Sequence, residues 1–489
     1  MNTKALRQKV LDLAIHGKLV PQNPNDESAT VLLERIRAEK ADKIKKGELK
    51  ADKKDSFIFV GSDKRHYEQF ADGTVKDIED EIPFDVPKGW TWCRITNVAI
   101  TELGKTLDAK KNKGESYDYL CALNVKWYTF DFTTLKQIRL EEKEKERYLV
   151  RKGDLLICEG GDVGRSAIWE SDNPIYYQNA LHRVRFYQNI NQYFFLHVLN
   201  YYKNIGLIDD VSGGVTIKHF TQNSMQKLLF PLPPLAEQEQ IVSLIKTIFF
   251  QIEILEQNKT ELQDAIKQTK SKILDLAIHG KLVPQDPNDE SAEELLKRIA
   301  TSDNRPYEKM DEEPFEIPDS WKWVKLGNIC DYGKCININS SDLHPNDWIL
   351  DLEDIEKDTG RIIAFHTFKE RKSESTKHKF KKGQVLYSKL RPYLNKVVIA
   401  PNDGFCTSEI IPLDFNGLLL PQFAQILLMS PYFLEMVNMV TYGVKMPRLG
   451  TNDAKNMLIP LPPITEQERI VIKFENLLSL LDKIILNII

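Results

Sequence analysis

The sequence predicts an α+β protein in which two α+β domains are joined by long antiparallel coiled-coil helices in a pseudo-two-fold, circularly permuted repeat. Three observations in the chain of 489 residues point there. One central stretch keeps an apolar seam for about 44 residues at the coiled-coil period. The blocks flanking it are near-copies of one another, and the offsets between copies close on themselves.

Stepping alternately four and three residues from Ile241 passes Ile245, Ile248, Ile252, Leu255, Leu262, Ile266, Ile273 and Leu276, interrupted only by Lys259 and Thr269. That is the 3.5-residue period of a helical zipper. Pro233 and Pro234 end the preceding strand, and Glu237 and Glu239 put negative charge at the positive end of the helix dipole. His279 in the last turn and Gly280, suited to a left-handed terminator, close it. At about 1.5 Å per residue the helix is about 66 Å long, too long for the interior of one domain, so it reads as a spacer or zipper.

The copies come in order. Residues 9–36, including His16-Gly17-Lys18-Leu19-Val20-Pro21, return at 272–299 with five of 28 positions changed. Pro83-Phe84, Pro87 and Trp90-Thr91-Trp92 are answered by Pro314-Phe315, Pro318 and Trp321-Lys322-Trp323. Each block opens a domain, with both Trp rings on one face of a strand as core anchors. Arg151-Lys152-Gly153 pairs with Lys381-Lys382-Gly383, in each case a turn before a buried strand, at 155–158 and 385–387. Pro231-Leu232-Pro233-Pro234 and Glu237-Gln238 match Pro460-Leu461-Pro462-Pro463 and Glu466-Gln467, where Thr465 and Glu468 form a capping box. Helices are expected around 192–202 and 422–429. Between these marks, 99–148 and 331–378 do not align, so the framework repeats and the content does not.

The domains are therefore drawn as an N-terminal helical segment at 1–40, a charged linker at 41–80, a first domain at 81–231, the central helix at 232–300, a second domain at 312–460 and a C-terminal helix at 461–489. The C-terminal copy keeps the seam at Ile470, Phe474, Leu477, Leu481, Ile484 and Ile488, and the N-terminal copy takes it up at Leu6, Val10 and Leu13. The offsets of 229 and 263 sum to the chain length plus three. The chain ends are expected side by side, together forming one helix that pairs with the central one.

Composition is that of a folded protein, 42% hydrophobic and 28% charged, with no run of about 20 apolar residues for a membrane span and no signal-like start. A soluble, untargeted, cytoplasmic protein is expected. Six cysteines lack C-x-x-C spacing, so they read as reduced and structural, with no metal site. A net charge of -4 argues against a generally sticky nucleic-acid binder, although a local basic surface can coexist with it. Residues 361–396 carry eleven Lys or Arg against two acids, with His366, Tyr387 and Tyr393 interleaved; 126–152 carries eight against five. Such stretches suit a phosphate backbone, or simply a solvated face.

No catalytic constellation is present: no phosphate loop, no G-x-S-x-G elbow, no H-E-x-x-H pair. Gly160-Gly161-Asp162-Val163-Gly164-Arg165 is the nearest to a phosphate cradle, but it lacks the lysine and its counterpart has lost the glycines. It reads as a loop at a strand end. Glu370-Arg371-Lys372 has the Glu-x-Lys form of many nucleases without the Pro-Asp that should precede it.

Two variable domains, each entered by Pro-x-x-Trp-x-Trp and left by Pro-Leu-Pro-Pro with Glu-Gln, and a long helix ending in His279-Gly280-Lys281-Leu282-Val283, resemble the specificity (S) subunit of a type I restriction-modification system over nearly the whole chain. The resemblance implies a non-catalytic subunit whose two target-recognition domains each bind half of a split, non-palindromic double-stranded DNA sequence. It implies helices that set the spacing and dock two modification subunits, with restriction subunits joining them. S-adenosylmethionine, ATP and Mg belong to those partners, not to this chain. A coiled-coil scaffold and a single-chain DNA-modifying enzyme with an internal duplication are the alternatives. Polar loops at strand ends are where recognition is usually placed, so 159–166, 216–219, 388–396 and 445–448 are expected on the DNA-facing edge. The candidate contacts are Arg165, Ser166, Thr216, Lys218, His219, Lys389, Arg391, Asn395, Lys396, Lys445 and Arg448. Arg165 and Arg391 are favoured because a guanidinium can bond two acceptors on guanine.

Overall fold

In the computed structural model the described residues are 2–49, 55–108, 110, 112–187, 189–213, 218–303, 313–371, 373–443 and 445–488. The chain divides into two units, Met1–Gln257 and Asn258–Ile489, and the helix Leu235–Ile278, 44 residues long, contributes to both. Each unit holds an α+β domain. Helix boundaries repeat as the sequence does. Thr3–Ile15 and Leu235–Ile278 end at equivalent isoleucines, and Leu235–Ile278 and Ile464–Ile488 start at equivalent positions.

In the first unit the strand Leu155–Cys158 is buried along its whole length, as an uninterrupted apolar run should be. It lies between Ser166–Ile168 and Leu181–Phe186, both antiparallel to it, and Ala99–Leu103 completes the sheet. Its alternate residues serve two cores. Leu155 and Ile157 join the large cluster with the helix Gln192–Asn204, whereas Leu156 and Cys158 join a smaller one with Leu120, Val125 and Trp169. A second sheet, in the order Leu149–Val150, Ile175–Tyr177, Glu115–Leu120 and Lys136–Leu140, holds one parallel pairing, Tyr176 with Tyr119.

The second unit repeats the central device. Val385–Ser388 is wholly buried between Val397–Ile399 and Ile410–Leu413, with Val385 and Tyr387 facing one core and Leu386 the other. A second sheet there has five strands and differs in order from the four-stranded one of the first unit. The helices Gln192–Asn204 and Pro421–Met429 stand where expected.

Three expectations are corrected. Of the stretch read as a charged linker, the first residues finish the helix Ala29–Lys45, and 56–77 folds as an antiparallel sheet of Ser56–Val60, His66–Phe70 and Val75–Asp77. Arg94 ties this sheet to the domain, its Nη2 donating at 2.8 Å to both the buried Glu68 and the exposed Glu81. The Trp rings are core anchors but do not share a core. Trp90 precedes its strand and packs on Phe194, while Trp92 packs on Phe84. The capping box does not form, because Thr465 lies inside the helix and its hydroxyl donates to Asp289 at 2.5 Å.

Among the described residues no single helix is long and apolar enough to cross a membrane. The six cysteines are free thiols, five of them buried. Met1 and Ile489 lie outside the described residues.

Candidate nucleic-acid interface

The repeated sequence marks converge on one node, built once in each unit. Glu237, at the start of the central helix, is buried; its carboxylate accepts from Trp90 Nε1 at 2.8 Å and from Gln22 Nε2 at 3.0 Å. In the second unit Glu466 accepts from Trp321 Nε1 at 2.8 Å and from Gln285 Nε2 at 2.5 Å. Burial pushes both carboxyls above the usual range, against the hydrogen bonds that hold them ionised. The next residue ties the helix to its domain: Gln238 Oε1 accepts from Asn191 N at 3.0 Å and Gln467 Oε1 from Leu420 N at 2.8 Å. Gly17 and Gly280, at φ +63° and +66°, let Pro87 and Pro318 approach to where a Cβ would stand 2.3 and 2.4 Å away. His16 and His279 then lie against Phe84 and Phe315, with ring centroids 4.2 and 3.8 Å apart. Sequence reasoning took Glu237 as a dipole charge and missed its role as an acceptor. The signal was there, since Trp, Gln and Glu all recur in step.

On this frame the loops that follow the buried strands meet the hairpins that precede the exit strands. Phe220 N donates to Glu159 O at 2.7 Å, and its repeat equivalent, Leu449 N, donates to Lys389 O at 2.9 Å. One backbone bond thus carries an acid in one unit and a base in the other. In the first unit His219 is exposed beside Gly160, and Lys218 donates to Asp209 O at 3.1 Å. In the second, Arg391 N donates to Pro447 O at 2.7 Å, and Arg448 pairs with Glu409 through Nε at 3.1 Å and Nη2 at 3.0 Å. Lys445 is exposed and Lys389 half-buried.

Several candidates face inward. Ser166 is fully buried with its hydroxyl donating to Gly164 O, and Asn395 is buried with its amide donating to Met429 O at 3.1 Å. Arg165 Nη2 donates to Ala122 O at 2.7 Å and Lys396 Nζ to Leu352 O at 2.6 Å, so both tie loops down. Polar loop residues satisfy buried carbonyls here because the loops wrap onto a core that needs donors. Thr216 lies outside the described residues. The glycine-rich 160–165 is the loop of an antiparallel hairpin, with no helix after it to hold a phosphate.

The basic stretch 361–396 is less free than its net charge suggests. Arg371 is committed to Asp351, Glu353 and Asp354, Arg361 to Asp482, and Lys377 is buried between the hydroxyls of Ser373 and Ser375. Lys369, Lys379, Lys381 and Lys382 remain exposed. In the first unit His197 is enclosed against Tyr128 and Phe249, and burial lowers it to about 3, so it stays neutral. Among the described residues no group of three His, Cys, Asp or Glu could hold a metal ion.

Along the seam, burial is uneven. Ile241, Ile245, Ile252 and Val10 are buried in the first unit and Ile266, Ile273 and Ile470 in the second. Ile248, Leu13, Leu276, Phe474, Leu477 and Leu481 are half-buried. Leu6, Leu255, Leu262 and Ile484 are 37, 46, 41 and 43% exposed. The side chain of Ile488 lies outside the described residues.

Two units with one frame and unlike edge loops define a duplicated protein that presents two different surfaces from the same scaffold. Residues 87–264 and 318–489 match the type I restriction modification DNA specificity domain, so the chain belongs to the family of type I restriction-modification specificity subunits. It is 27% identical to the EcoAI specificity subunit of Escherichia coli over 98% of this chain and 90% of that one. It is 28% identical to the EcoEI subunit of the same organism over 67% and 61%. The fold resembles the crystal structure of the HsdS subunit from Thermoanaerobacter tengcongensis, with a TM-score of 0.53 and 18% identity over 83% of this chain and 92% of that one.

Proposed function

We propose that each unit reads one half of a split, non-palindromic duplex sequence, and that the chain is the non-catalytic recognition subunit of its complex, working in the cytoplasm. One observation carries this: the same node, with the same acceptor, donors and glycine, holds edge loops of opposite character, Glu159 and His219 in one unit against Lys389 and Arg448 in the other. Symmetric frames match the two-fold relation of half-sites on DNA, and unlike loops match unlike half-sites. The DNA-facing set is Lys218 and His219 in the first unit and Lys389, Arg391, Lys445 and Arg448 in the second, with Arg165 and Lys396 bracing the loops. The helices form the antiparallel spacer of a closed, circularly permuted repeat and dock two modification subunits, which bring S-adenosylmethionine; restriction subunits that use ATP and Mg join these.

The test is binding by the chain assembled with its modification subunits. Affinity for one defined duplex should exceed that for scrambled duplex by about 10³ or more, and both should fall with salt. Equal affinity for all duplexes would leave a scaffold.

A further inference from the structure

The turn Pro392–Leu394 is bracketed by two non-glycine residues in the left-handed region, Arg391 at φ 49° and Asn395 at φ 49°. Side chains with a Cβ rarely adopt it, and a residue before proline is restricted further. Strain of this kind persists only where the surroundings over-determine it. They do so here: Arg391 N donates to Pro447 O at 2.7 Å, Asn395 N to Pro392 O at 2.9 Å, Asn395 Nδ2 to Met429 O at 3.1 Å and Ser388 N to Lys396 O at 3.1 Å. With Pro392 buried beneath it, Tyr393 is left at the apex, 48% exposed.

The bond from Arg391 to Pro447 sets a second turn beside the first, and that turn carries Met446, 51% exposed, next to the exposed Lys445. The neighbouring cations are less available. Arg391 is half-buried with its Nε enclosed, and Arg448 is held in two bonds by Glu409. What protrudes from this braced edge is therefore apolar: the Tyr393 ring and the Met446 thioether, flanked by Lys445, with the Tyr442 ring, 60% exposed, on the backbone that pairs with Arg448.

We propose that Tyr393 and Met446 form an apolar prong with which the second unit contacts base faces in its half of the duplex, so that specificity there rests on stacking and step flexibility more than on guanidinium pairing. This rests on the DNA-recognition reading given above. Side chains of this kind unstack base steps and kink the duplex, which favours flexible pyrimidine–purine steps.

The experiment uses the full complex with modification subunits, a duplex carrying the sequence it methylates, and 2-aminopurine placed at successive steps of the half-site. Tyr393→Ala should weaken target binding about tenfold or more while leaving scrambled duplex within about twofold, and should abolish the 2-aminopurine signal of unstacking. Met446→Ala should act in the same direction to a smaller extent, and Tyr393→Phe should retain binding and signal. Lys445→Gln should instead weaken both duplexes and flatten the salt dependence. A Tyr393→Ala complex that assembles and binds its target with unchanged affinity and signal overturns the prong. A wild-type complex that does not prefer its target over scrambled duplex sinks the recognition reading itself.

Discussion

Gly280 shows how much of the fold hangs on single positions. Its φ of +66° and the 2.4 Å from a would-be Cβ to Pro318 Cγ leave no room for a side chain, whereas Gly383, at φ +86°, faces open space. Gly280→Ala should therefore cost more than the roughly 1 kcal/mol of left-handed strain expected for Gly383→Ala, by about 2 kcal/mol or more, in denaturant unfolding of the chain. Asp289 gives a pH-dependent case. Hydrogen bonds from Arg469, at 2.6 and 3.1 Å, with a further one from Thr465, hold its carboxyl below the usual range. A depressed folded-state value contributes stability above the unfolded value and loses it as pH falls through the folded one. The first copy has Gln240 where Arg469 stands. Arg469→Gln should lower stability at pH 7 by no more than about 1 kcal/mol, since the pair is partly solvated. That difference should vanish in acid below the folded-state value; a penalty unchanged across that range would contradict the assignment. At this scale the sequence was a poor guide, because Ser166 and Asn395 look like surface polar residues until the carbonyls they satisfy are seen.

Elements were more legible. Leu155–Cys158 and Val385–Ser388 could be read because short apolar runs that follow a glycine turn have few other fates, and Leu235–Ile278 because its seam and its terminators agree. The sheet within 56–77 could not, since its charged residues resemble a solvated linker and the partner of its buried Glu68 is Arg94, outside it. Seam residues are not equivalent either. Ile245 is fully buried in the core of the first unit, while Leu255, equally apolar by pattern, is 46% exposed. Ile245→Asp should cost several kcal/mol, because a lone carboxylate in an apolar core is uncompensated, and Leu255→Asp should cost the isolated chain less than about 1 kcal/mol. Comparable losses from both, in thermal or chemical unfolding, would mean that the seam is closed along its whole length.

For the whole molecule, the duplicated node means that one structural solution is used twice, while the second sheet and the edge loops differ between units. The recurring Trp, Gln, Glu and Gly announce this in the sequence, but which loop atoms point outward depends on contacts that no spacing encodes. A closed repeat further predicts that joining the chain ends through three residues and reopening the chain near Gly47, which is exposed, yields a permutant that still supports methylation. The most direct measurement is methylome sequencing of a strain that expresses this chain with its modification subunit. Two independent readers on one frame predict a single methylated motif of two short, unlike half-sites separated by a spacer of constant length, with exchange of the second domain altering one half alone. A continuous or palindromic motif, or methylation without any motif, would contradict it.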